Sequence, residues 1–255
     1  MEWGSVRDNA LQSLQHALEP LCGTQVPNLR LPKDIAAQIE PSQIGTIIGT
    51  LTDLLLPSIA LAKGIGLIKA EGLLGDREGY PDFLHQSGYR IELKGVFRDN
   101  PDVPLKRPPT PREPSARLTQ KVTVTNVDPD KDALLVLVYE LGSTEAEPSI
   151  ISPTIVHLGL FPVIECVLAR DFRMTEGGGM WFGNYQTPTI LSKAGRAAFR
   201  NGAELQTENY GRKESEGRHF NEDTNFGKLK RIPYRPLQEF FARQWLPFFT
   251  ARKLP

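Results

Sequence analysis

Sulfur and imidazole are scarce in this 255-residue chain, which carries two cysteines, three methionines and four histidines. Cys22 and Cys166 lie far apart and in no Cys-x-x-Cys or Cys/His spacing, so zinc fingers and disulfide scaffolds are excluded. His16, His85, His157 and His219 are scattered and form no metal-binding run of the HNH kind. No Gly-x-Ser-x-Gly elbow occurs, and Gly177-Gly178-Gly179 runs into Met180 rather than Lys-Ser or Lys-Thr, so neither a hydrolase nucleophile nor a P-loop is present. Net charge is absent too, with 30 basic against 30 acidic residues. The best apolar stretch, Ile44 to Ala62, is broken by Thr46, Thr50, Thr52, Asp53 and Pro57, and no secretory leader pattern is seen. The expectation is therefore a cytoplasmic protein with no membrane span.

What is present is a globular composition, 40% hydrophobic and 24% charged, long enough for one sizeable core. The charge is segregated: from Lys193 onward there are 13 Lys and Arg against 7 Asp and Glu, so that end is +6 and the remainder −6. A segregated basic end can meet phosphates without a basic whole; a plain solvated surface has the same composition. Apolar spacing predicts a helix through Leu14, Leu18 and Leu21, stopped near Gly23. A second begins after Pro41, capped by Ser42, with Ile44, Ile47, Ile48, Leu51, Leu54 and Leu55 as core or dimer-packing surface and Pro57 ending or kinking it. Lys63 to Gly75 reads as a further short helix.

Arg98 to Pro114 is proline-rich and carries Lys106, Arg107 and Arg112, an irregular connection or a basic loop. Ser115 to Val127 is expected to start as a helix bearing Arg117, Gln120 and Lys121. Asp132 to Leu141 reads as a central strand buried on both faces, Thr154 to Phe161 as another strand, and the residues after Pro162 as a helix stopped by the triple glycine. A short helix is expected from Ser192 to Arg200. A polar stretch then carries Arg212, Lys213, Arg218, Lys228, Lys230 and Arg231, and the aromatic tail through Phe240, Phe241 and Trp245 has helical spacing.

One stretch carries chemistry: Tyr80 to Phe97, YPDFLHQSGYRIELKGVF. Alternation puts Tyr89, Ile91, Leu93 and Phe97 on one face of a strand and Arg90, Glu92 and Lys94 on the other. Tyr80 to Leu84 reads as its partner strand. A three-residue turn, Gln86-Ser87-Gly88, closing on a left-handed glycine sets Asp82 opposite Glu92, with Cβ atoms about 4.5–5.5 Å apart. Two such carboxylates repel; a hard divalent cation relieves them, and Lys94 beside it can orient a water and stabilise charge on a phosphate. A surface hairpin with an ordinary Glu–Lys ion pair has the same sequence pattern. Pro-Asp occurs three times in the chain, but Glu92-Leu93-Lys94 is its single acidic-x-Lys triplet.

This Pro-Asp, Glu-x-Lys hairpin resembles the active site of the PD-(D/E)XK nucleases, the fold class of most type II restriction endonucleases. The resemblance covers about twenty residues closely. It implies an α/β fold, a mixed central β-sheet flanked by helices in a restriction-endonuclease-like core, with a helical N-terminal region and a basic C-terminal region. The expected division is a helical region at 1–75, a catalytic core at 76–191 and a basic region at 192–255 for DNA contact or dimerisation, or all three as one domain. It further implies that Asp82, Glu92 and the Leu93 carbonyl hold Mg²⁺, that Lys94 serves water and scissile phosphate, and that an acidic residue on the preceding helix supports them, with Glu71 the first candidate and Glu78 the second. The expected activity is sequence-specific hydrolysis of double-stranded DNA to 5′-phosphate and 3′-hydroxyl ends by a homodimer. Arg107, Arg112, Arg117, Gln120, Lys121, Arg212, Lys213, Arg218, Lys228, Lys230 and Arg231 are the expected DNA contacts. The alternatives are a repair or mobile-element nuclease on the same site, and a non-catalytic DNA-binding α/β protein.

Overall fold

The computed structural model describes residues 5–27, 29–71, 80–100, 102–106, 114–119, 122–176, 180–182, 187–189 and 227–249. Its contacts divide the chain into two units, one built from residues 1–116, 129–162 and 242–255, the other from 117–128 and 163–241.

The first unit is mixed α/β. Helix α1 (Ser5–Leu18) and a following 3₁₀ turn bury Leu11, Leu14, Leu18 and Leu21 at helical spacing. After the two-residue strand β1 (Leu31–Pro32) and one turn of helix α2 (Lys33–Ala36) comes the 22-residue helix α3 (Pro41–Ala62). Its start differs from the expected Ser42 cap: Glu40 is the N-cap, and its backbone N–H donates to Gln43 Oε1 at 3.0 Å. Pro57 does not end the helix. It removes one backbone donor, but Leu56, Ile59 and Ala60 on either side of it are buried in the same core as Ile44 and Ile48, and that packing outweighs one lost hydrogen bond. By length and mean hydropathy of 1.7, α3 reaches membrane-span values. Its Ile44, Ile48 and Leu56 face the core of this unit, whereas Ile47, Leu54 and Leu61 are exposed.

Strands β2 (Leu67–Lys69), β3 (Phe83–His85), β4 (Arg90–Arg98), β5 (Asp132–Thr144) and β6 (Glu147–Pro162) complete a six-stranded sheet in the order β1-β6-β5-β4-β3-β2. The β4–β5 pair is parallel and the other pairs are antiparallel, which makes the sheet mixed. Ala133 to Tyr139 of β5 are all buried, as a strand covered on both faces requires. The expected strand at Thr154–Phe161 is part of the longer β6. Where a helix was expected from Lys63, the chain turns at Gly64 (φ +75°) and enters β2, because Leu67 joins the core beside α3.

The second unit contains α4 (Val163–Glu176), the hairpin of β7 (Met180–Phe182) and β8 (Thr187–Thr189), a 3₁₀ turn at Leu229–Arg231 and the beginning of α5 (Arg235–Phe249). In α4, Val163, Cys166, Val167 and Arg170 are buried while Leu168 and Phe172 are exposed. The expected helix at Ser115 is not formed. Arg117 instead bridges Lys228 as an isolated antiparallel pair. The buried Arg170 guanidinium donates to the carbonyls of Thr119 at 2.6 Å and Val122 at 2.7 Å, and Thr119 O also accepts the Val122 amide at 3.2 Å in a turn. The Ser192–Arg200 helix lies outside the described residues.

Two turn and strand positions generate tests. A Cβ added at Gly95 would stand 2.7 Å from Cε2 of the buried Tyr139 ring. Gly95→Ala is therefore expected to destabilise the fold by about 1–3 kcal/mol in urea unfolding, despite alanine's better strand entropy; a neutral or stabilised variant would show that Tyr139 moves freely. His85 is 6% exposed, its Nδ1 accepts the Ser87 amide at 3.2 Å, and burial lowers its pKa below the ordinary 6.5. The folded state thus resists a proton that the unfolded chain accepts, so this contribution is complete above pH 6.5 and lost as pH falls through the lower folded value. Unfolding free energy should decline on acidification from neutrality, less steeply in His85→Phe; equal slopes would refute the assignment.

Candidate active site

The pairing of β3 with β4 matches Phe83 to Ile91 and Leu84 to Arg90. Continued by one residue, that register places Asp82 opposite Glu92. The turn is the expected one: His85 N donates to Tyr89 O and Gly88 N to His85 O, each at 2.9 Å, with Gly88 at φ +88°. Because His85 and Tyr89 form a hydrogen-bonded pair, alternation makes Asp82 and Glu92 a non-hydrogen-bonded pair, the kind whose side chains approach most closely.

Asp82 itself precedes β3, which starts at Phe83 rather than at Tyr80. Its backbone carbonyl accepts from Ala70 N at 3.0 Å, and its side chain turns to β4, where Oδ2 accepts the Leu93 amide at 2.6 Å. The carboxylate thus takes the place of the backbone acceptor that β3 would have supplied had it begun two residues earlier. Lys94 Nζ donates to Glu92 Oε1 at 2.6 Å and lies 3.9 Å from Asp82 Oδ2. Glu92 is 4% exposed, and its second oxygen, Oε2, is buried with no hydrogen-bond partner.

Burial is the largest influence on both carboxyls. It pushes Glu92 up to about 7, against the pull of Lys94 and with the added push of Asp82. Burial likewise raises Asp82, opposed by Lys94, the Leu93 amide and Lys69, while the charge of Asp53 adds to the rise. For Lys94 burial disfavours the cation, but Glu92 and then Asp82 overcome it and hold its pKa above the ordinary lysine value. Lys94 is consequently an ammonium donor at neutral pH, suited to stabilising anionic oxygen rather than to removing a proton.

The sequence matches no protein-family model and no curated protein. The geometry alone therefore bears on chemistry. Among the described residues no group of three or more His, Cys, Asp and Glu gathers as a ready metal cage. Two carboxylates suffice for Mg²⁺, which keeps most of its waters, and the unpartnered buried oxygen of Glu92 is a group that a hard cation would satisfy. Asp82 and Glu92 fit that ion.

Glu71 follows Ala70, whose amide donates to the Asp82 carbonyl. It is exposed in irregular chain just beyond β2, on no helix, and Glu78 lies outside the described residues. An acidic group that does act on the site is Asp53, near the middle of α3, which pairs with Lys69 of β2 and contributes to the electrostatics of both Asp82 and Lys94. Its sequence signal was available: it is the single ionisable side chain between Pro41 and Ala62, and it read as an interruption of an apolar stretch. Of the expected DNA contacts, Arg117, Lys228, Lys230 and Arg231 belong to the second unit, where the Arg117–Lys228 bridge draws the first two together and Lys230 and Arg231 follow in the 3₁₀ turn. Arg107, Arg112, Gln120, Lys121, Arg212, Lys213 and Arg218 lie outside the described residues.

A buried carboxylate beside a half-buried one that repels it costs stability, which a bound cation would offset. Glu92→Gln is expected to raise metal-free unfolding free energy at pH 8 on the order of 1 kcal/mol, and to abolish stabilisation by Mg²⁺, which in the native chain should approach about 2.7 kcal/mol at 100 times the dissociation constant. Thermal unfolding with and without Mg²⁺ measures both, and an undiminished Mg²⁺ effect in Glu92→Gln would remove that residue from the site.

Proposed function

We propose that the protein is a Mg²⁺-dependent endonuclease of the PD-(D/E)XK type, cutting double-stranded DNA at specific sequences in the manner of a type II restriction enzyme. The observation that carries this reading is the convergence of Asp82, Glu92 and Lys94 on one hairpin, with Glu92 Oε2 buried and unpartnered. The mixed sheet agrees with the restriction-endonuclease-like core that the resemblance implies.

In this reading Asp82 and Glu92 hold the ion, joined by the Leu93 carbonyl. The bound cation supplies Lewis-acid polarisation of the phosphate and a more acidic water. Lys94 donates to a phosphate or water oxygen and offsets the negative charge that grows there. The Leu93 amide fixes the rotamer of Asp82, so that one of its oxygens stays directed to β4 and the other is left for coordination. Asp53 on α3 acts on Asp82 and Lys94 through charge, in the kind of supporting role that the resemblance gives to an acidic residue on a helix. In-line attack by water releases 5′-phosphate and 3′-hydroxyl ends. A cytoplasmic homodimer would place one such site on each strand of a two-fold symmetric sequence, with the Arg117–Lys228 bridge and the Lys230–Arg231 turn among the phosphate contacts.

A second reading keeps the geometry and drops the chemistry. The Lys94–Glu92 pair at 2.6 Å is also what an internal ion pair in a non-catalytic DNA-binding protein would show. Incubation with plasmid and phage DNA in Mg²⁺ separates the two. Discrete fragments are expected from the native chain, and a loss of at least about a thousandfold in rate from Lys94→Ala with DNA binding retained. Intact DNA of diverse sequence, or cleavage unaffected by Lys94→Ala, would sink the nuclease reading; a repair or mobile-element enzyme would instead cut without a fixed site or only at a particular DNA structure.

A further inference from the structure

Asp82 is held by more than its own hydrogen bond. Two residues upstream, the Tyr80 ring is 1% exposed, and its hydroxyl donates to Asp132 Oδ2. Asp132 is the first residue of β5 and the register partner of Arg90, which grips it bidentately, Nε to Oδ1 and Nη2 to Oδ2. The Asp132 side chain is completely buried, and the Arg90 guanidinium lies 5.8 Å from the Tyr80 ring centroid. A buried carboxylate that takes a fork from arginine and a phenol hydroxyl has a fixed orientation.

We propose that the Tyr80–Asp132–Arg90 cluster is a positioning clamp for the metal site, fastening the turn at residues 80–82 to β5 so that the Asp82 carboxylate meets Glu92. This rests on the nuclease reading and adds to it three residues that act through the placement of Asp82 rather than by holding the ion. Among the described residues three hydrogen bonds fasten the turn: the Tyr80 hydroxyl on Asp132, the Asp82 carbonyl on Ala70 N, and the Asp82 carboxylate on Leu93 N. A cation held by the other Asp82 oxygen pulls on the carboxylate that makes the last of these. The other two must then hold the turn against the pull of the ion, and only the Tyr80 fastening can be removed by deleting a single side-chain atom. The clamp also explains why Asp82 can lie outside regular strand and still be placed, since its strand begins only at Phe83.

The test uses the full chain and Tyr80→Phe, which keeps the ring against Arg90 and leaves the Arg90–Asp132 fork intact. Calorimetric titration with Mg²⁺ gives the dissociation constant, and cleavage assays give the Mg²⁺ concentration at half-maximal rate, kcat at saturating Mg²⁺ and KM for DNA. The clamp predicts a five- to tenfold weaker Mg²⁺ dissociation constant and a matching rise in the half-maximal concentration, with kcat at saturation within about twofold of the native chain and KM for DNA unchanged. Asp132→Asn, in which an amide oxygen still accepts from Tyr80 while the charge pair with Arg90 is lost, should retain more Mg²⁺ affinity than Asp132→Ala. If the native chain binds Mg²⁺ and cleaves while folded Tyr80→Phe binds Mg²⁺ equally well, the clamp is wrong and the nuclease reading stands. If the native chain neither binds Mg²⁺ nor cleaves DNA, both fall.

Discussion

The asymmetry of β4 is the constraint on which the site depends. On one side β4 runs parallel to β5 for its whole length, Arg90 against Asp132 through Arg98 against Glu140. On the other it is matched by β3 only at Phe83 and Leu84. A strand held along one edge and released along most of the other is rigid yet exposes amides without backbone partners. The Leu93 amide is one of these, and the Asp82 carboxylate accepts it. A longer β3 would have satisfied that amide with a carbonyl and left Asp82 no reason to turn inward.

The same economy governs the charges. The acids Glu92, Asp82 and Asp53 and the bases Lys94 and Lys69 partly compensate one another, but burial still raises both carboxyls of the hairpin. Buried charge that is only partly compensated is costly, and sites of this kind persist where the deficit is made good by something that binds. By contrast Asp132, fully buried, is met on both oxygens by Arg90 and Tyr80. Asp132 and Glu92 therefore differ in kind: the oxygens of Asp132 are all met by the protein, and Oε2 of Glu92 is not.

What could be read from the sequence follows from how local each determinant is. The hairpin register was legible because Gly88 and the Tyr89–Ile91–Leu93 alternation lie within a dozen residues of one another and fix turn and face together. The burial of Ala133 to Tyr139 was legible from an unbroken apolar run. The strand at Leu67 was not, since its three residues carry too little pattern and its place is set by packing against α3 and by β3. The irregular course after Ser115 escaped for a similar reason: its partner is Arg170, about fifty residues downstream in α4, whose buried guanidinium donates to carbonyls of this segment. Asp53 was visible as a letter but not as a neighbour, because the fold of α3 onto the sheet is what brings its charge to Asp82.

Helix α3 is, electrically, a blank rod with one mark near its midpoint. Turning it by a single residue, about 100°, would take Ile44, Ile48 and Leu56 out of the core and carry the charge of Asp53 away from Asp82 in the same motion. Packing and electrostatics are thus geared together: the apolar contacts that seat the helix also set the field at the hairpin. Substitutions in the core beneath α3, though remote from Glu92 and Lys94, would reach them through the orientation of that one carboxylate.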